Sequence, residues 1–134
     1  LGPYALQAAI AACHARALTA DATDWTRIAA LYAMLAEIAP SPVVELNRAV
    51  AEAMAFGPAV GLERVDALAG EHALADYHLL PSVRGDFLHR LGRYDEAQRE
   101  FERAAALSQN ARERELLRAR AESSASASTS ASIR

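Results

Sequence analysis

Lysine is absent from this 134-residue chain; all 14 of its basic residues are arginine, a bias typical of GC-rich bacterial codon usage. Against 17 acidic residues they leave a formal charge of −3. With no Lys/Arg stripe to neutralise a phosphate backbone, direct nucleic-acid contact from this segment is not expected. Cysteine is almost absent too: Cys13 stands alone, so no internal disulfide can form. There are only 5 prolines, and aromatic residues make up 6%. No apolar run approaches the ~20 residues of a membrane helix, and no signal peptide is visible, so the cytoplasm is the expected compartment. Strand-like alternation occurs nowhere. GxSxG, P-loop and GxGxxG motifs are missing, and no two carboxylates form a recognisable acid/base couple. Cys13 and His14 are adjacent and so point to different helix faces, and His72, His78 and His89 lack metal-ligand spacing. No enzyme, no cofactor and no metal site is expected. The chain opens Leu1-Gly2-Pro3, without methionine, and reads as a piece of something longer.

What is abundant is alanine, within a 52% hydrophobic composition that favours helix and permits a real core. Pro3 can open a first helix with Leu6, Ile10 and Cys13 on one face, where Cys13 serves as a small core residue. The segment 19–24, "TADATD", reads as a loop, and Thr23 or Asp24 can cap a second helix from Trp25 to Ala39. Ser41 caps a third helix with Pro42 at its first position, where a missing N–H costs nothing. Gly57-Pro58 stops that helix and starts a fourth, which runs to Gly70. A fifth covers about 77–91. Pro81 is tolerable only in its first turn, so this helix begins near Asp76 or near Leu80. The sixth is expected over Asp95–Ser108 and a seventh, charged on nearly every side, over Ala111–Glu122. Residues 123–134, "SSASASTSASIR", offer little apolar surface and read as a disordered low-complexity tail after a domain at 1–122.

Gly92, Tyr94, Ala97, Phe101, Ala104 and Leu107 match the second half of a tetratricopeptide repeat. The glycine turns the chain, the alanines let helices cross, and Gly85 falls where the preceding helix also needs a small residue. A step back of about 35 residues, near the tetratricopeptide period, reaches Gly57 and a looser copy. A further step reaches Tyr32, Leu35, Ile38 and Pro40. Helix pairs at 3–39, 42–69 and 76–108 follow. The expected fold is all-α: a tetratricopeptide-like right-handed superhelix of about three hairpins with a C-terminal capping helix.

The stretches GPYALQAAIAACHARA, DWTRIAALYAML, SPVVELNRAVAEA, GLERVDAL and RLGRYDEAQREFERAAAL, closing on NARERELLRAR, carry a more specific likeness. Together they resemble the C-terminal tetratricopeptide-like extension of one group of extracytoplasmic-function (ECF) sigma factors, in order from residue 2 to about 120. The motifs fall on Tyr4, Gln7, His14, Asp24, Trp25, Asn47, Arg48, Arg84 and the Gly92–Ala97 turn, while Pro81 departs from the pattern. The resemblance implies a regulatory interaction domain that modulates transcription initiation through the sigma core, RNA polymerase or a separate regulator. A small-molecule-sensing helical domain and a free-standing tetratricopeptide scaffold are the alternatives.

Five residues are candidates for partner binding. Asn47 and Arg48 sit on the first helix of the middle pair. Either they grip a partner's backbone and carboxylate, or they bond to a neighbouring helix or loop. Arg84 and Arg90 decorate the next such helix, where they add to a groove or belong to a solvated face. Asp86–Arg90 is an i,i+4 pair of only ~0.3–0.5 kcal/mol. Trp25 either anchors a partner or staples the first pair, with Asp24 as its cap.

Overall fold

The computed structural model describes residues 2–17 and 22–133. Residues 19–21 of the expected loop lie outside that range. Among the described residues there are seven α-helices and no strand. The chain divides into two compact units, Leu1–Ala69 and Gly70–Arg134.

The first unit holds α1 (Pro3–Arg16), α2 (Trp25–Ile38), α3 (Pro42–Phe56) and α4 (Pro58–Asp66), each packed on the next. Local chemistry sets most of the boundaries. Asp24 accepts the Arg27 N–H at 3.1 Å and Ser41 accepts the Val43 N–H at 3.2 Å, each satisfying an orphan donor of a first turn. Pro3, Pro42 and Pro58 all stand at helix starts. Gly57, with φ 108°, makes the bend between α3 and α4 that a side chain would strain. α4 ends earlier than expected, at Asp66, and turns carry the chain to Gly70 with Leu68 still buried. Leu6, Ile10 and Cys13 of α1 pack with Ile28, Leu31 and Leu35 of α2 and Ala51 of α3 into one apolar core.

The second unit holds a short 3-10 turn (His72–Leu74), then α5 (Leu79–Arg90), α6 (Tyr94–Leu107) and α7 (Ala111–Ile133). Pro81 lies in the first turn of α5, so the start near Leu80 is the one the chain takes. α5 closes on Gly92 at φ 79°: Gly92 N–H donates to the His89 carbonyl at 3.0 Å and Arg93 N–H to that of Leu88 at 2.9 Å. This is the paired-bond glycine stop that reverses the chain into α6. α6 crosses α5 where Gly85 faces the Phe101 ring, with Ala97 and Ala104 fully buried.

The tail expected to be disordered is helical. α7 runs on to Ile133 without a break at Glu122. Its alanines are the best helix formers, and two of its serines find side-chain partners on other helices instead of competing with the backbone. Ser124 is fully buried with Oγ 2.9 Å from His89 Nδ1, and Ser128 donates to Asp95 at 2.5 Å. Leu117 and Ala121 supply the apolar part of the same face, which packs on α6.

Candidate functional site

A groove of about 400 Å³ opens in the first unit. Gln7, Ala11 and His14 project from α1 at intervals that share one helix face, and Val43 and Asn47 do the same from α3. α2, packed on both of these helices, lies at the base with Tyr32 and Leu35, while Ile10 and Val44 complete the apolar floor. Asn47 is exposed there. Burial pushes the Tyr32 phenol above its ordinary pKa of 10.0, so it stands in the groove as a neutral hydroxyl.

Arg48, the neighbour of Asn47, is turned to another task. Its Nε donates to Glu52 Oε1 at 3.1 Å, and its Nη1 lies 3.7 Å from Glu45 Oε1. Arg64 of α4 donates to the other oxygen of Glu52 and reaches Glu45 at 3.8 Å. Two guanidinium groups and two carboxylates thus tie α3 to α4 around Glu52, which is 7% exposed. A buried carboxylate needs such company. The i,i+4 spacing of Arg48 and Glu52 was legible as a helical pair. Arg64 was not, because only the turn at Gly57 brings it back.

The second unit contains Arg84 and Arg90. Arg84 approaches the buried Glu100 of α6 at 3.7 Å, and Arg103 donates to the same carboxylate at 3.3 Å. Arg90 pairs with Asp86 at 3.1 Å, as its spacing implied. Asp86 also accepts from Arg120 of α7 at 2.7 Å, and the Arg120 guanidinium lies 4.5 Å over the Phe101 ring. These contacts join α5, α6 and α7. At the α6 start, Arg93 makes two hydrogen bonds to Glu96 at 2.6 and 2.9 Å, which hold the Glu96 carboxyl below its usual range.

Trp25 is half-buried against the core of the first unit, edge-on to His14 with ring centroids 5.4 Å apart. Its buried indole N–H meets no acceptor among the described residues. The stapling role is therefore visible in its packing. Among the described residues, no three His, Cys, Asp or Glu side chains gather as a metal site, and no helix is long and apolar enough to cross a membrane.

The chain matches part of a longer protein. Over 117 residues, 87% of this chain, it is 49% identical to a protein of Rhizobium meliloti (strain 1021) described as uncharacterized. The matched part is 27% of that relative's length. No protein-family model and no solved structure matches the chain.

Proposed function

We infer that this chain is a tetratricopeptide-like interaction domain, a right-handed superhelix of stacked hairpins closed by α7, that serves an ECF sigma factor. In this reading it has no catalytic role. It modulates transcription initiation by contact with the sigma core, RNA polymerase or a regulator. The observation that carries the interaction role is the first-unit groove, with Asn47 exposed on a wall above an apolar floor. Grooves of this kind bind through side-chain complementarity rather than chemistry. Support for the repeat geometry comes from the Gly92 turn and the Gly85–Phe101 crossing. The sigma-factor assignment rests on the resemblance of the sequence stretches from residue 2 to about 120. A match confined to 27% of a longer relative favours a domain over a free-standing scaffold. The groove opens to solvent, which favours a macromolecular partner over the enclosed pocket of a small-molecule sensor.

The deciding experiment is a promoter reporter driven by the longer protein that carries this segment, with and without residues 2–133. A changed output, in either direction, is expected. Identical output would remove the regulatory role.

A further inference from the structure

We propose that residues 123–133 of α7 form a pH-sensitive strap, seated on α5 and α6 while the His89 ring is neutral and lifted from them when that ring takes up a proton. The inference stands apart from the sigma-factor reading, because it concerns a contact inside the second unit.

The strap has almost nothing apolar to hold it. Beyond Ala121, the one buried side chain among the described residues is Ser124, and it is polar. A space of about 500 Å³ opens between the last turns of α7 and the start of α6, bounded by Tyr94, Asp95, Arg99, Ser128, Ala131 and Ser132. Two hydrogen bonds cross the contact, Ser124 with His89 and Ser128 with Asp95. The second is exposed, so water competes for both of its groups. Seating therefore depends on the first. A helical segment this short is marginal by itself, so a lifted strap frays.

Proton placement decides that bond. Ser124 is fully buried, and His89 Nδ1 at 2.9 Å is the partner its hydroxyl finds among the described residues. A buried hydroxyl hydrogen needs an acceptor. Nδ1 accepts when the ring is neutral with its proton on Nε2, whereas in the imidazolium both nitrogens donate. Protonation thus leaves the Ser124 hydrogen without an acceptor in the contact, and lifting the strap gives it water.

The surrounding charges do not offset this. On α5, Asp86 is shared by Arg90 and by Arg120 of α7. At the start of α6, Glu96 is taken by Arg93 and Asp95 by Ser128. The Tyr94 ring meets His89 edge-on, with centroids 5.0 Å apart. The carboxylates on the elements around His89 are thus engaged by other donors, and three arginines stand among them. Histidine is the side chain that changes charge between about pH 5 and pH 8.

The test follows the Cα chemical shifts of residues 111–133 in the whole chain, since these report helix directly. From about pH 8 to about pH 5, the ratio of seated to lifted strap should fall roughly three- to tenfold, the worth of one hydrogen bond, while residues 111–121 stay helical. Ser124→Ala removes the hydrogen that loses its acceptor, and His89→Gln supplies an acceptor that does not titrate. Either variant should keep the strap helical at both pH values. Asp95→Asn retains an acceptor for Ser128 and should leave the response in place. A strap equally helical at both pH values would overturn the inference. So would a response that survives Ser124→Ala or His89→Gln, a response abolished by Asp95→Asn, or fraying of all of α7 together.

Discussion

A methyl group added at Gly85 would stand 2.9 Å from the Phe101 ring, closer than real Cβ contacts come. The ring is fully buried and has little room to yield. Gly85→Ala should therefore destabilise the chain by about 1–3 kcal/mol through overpacking, despite alanine's better helix propensity, and thermal melting will show it. Asn47 and Arg48 adjoin in sequence but differ in duty. Asn47→Ala removes an exposed side chain and should leave the melting temperature unchanged. Arg48→Ala leaves the buried Glu52 with Arg64 alone and should cost about 1–2 kcal/mol. Equal effects of the two substitutions would contradict the division drawn between them. Tyr32 offers a check by pH. Burial raises its pKa above 10.0, so the folded state holds this proton more tightly than the unfolded state. The resulting stability is present below the unfolded pKa and is lost as pH rises through the folded one. In an alkaline ultraviolet titration, a tyrosine step above the ordinary phenol pKa should vanish in Tyr32→Phe.

α7 is longer than its composition implies, and its two halves hold on by different means. Residues 111–121 place Leu117 and Ala121 against α6 and send Arg120 over Phe101. The following stretch is held chiefly by the Ser124–His89 and Ser128–Asp95 hydrogen bonds. Truncation after Ser108 should uncover Phe101 and its alanine neighbours and cost about 3 kcal/mol or more. Truncation after Glu122 should cost about 1–2 kcal/mol for two lost hydrogen bonds. A tail that contributed nothing would melt at the same temperature with or without residues 123–134. The Ala/Ser repeat lacks apolar bulk, and by composition alone it points to disorder. Its helical form depends on polar partners on α5 and α6, which stand about 35 residues upstream, and no local pattern announces them.

At the scale of the whole chain, charge and helix order bear on function together. A net charge of −3, with many of its arginines engaged by carboxylates, leaves little for a phosphate backbone. The chain alone should not raise the fluorescence anisotropy of a labelled promoter duplex at moderate salt; salt-dependent binding there would contradict this charge argument. Most helix starts were readable, because prolines, glycines and caps act within a turn or two of where they stand, whereas the ends of α4 and α7 were not. Pro42, Ser41, Asp24 and Gly92 each do in space what their local chemistry requires. The all-α class followed from alanine and periodicity in the same local way. Pro81 decides the start of α5: a start near Leu80 keeps it in the first turn, whereas a start at Asp76 would put it in the second.

Long-range arrangement was of a different kind. That Arg48 serves Glu52 while Asn47 faces open space, that Arg64 returns to the same carboxylate, and that Ser124 is buried beside His89 all depend on which helix faces meet. Local propensity acts through backbone geometry over three or four residues and is written along the chain. The pairing of polar side chains across helices acts through distance and desolvation, and these quantities exist only once the helices have packed.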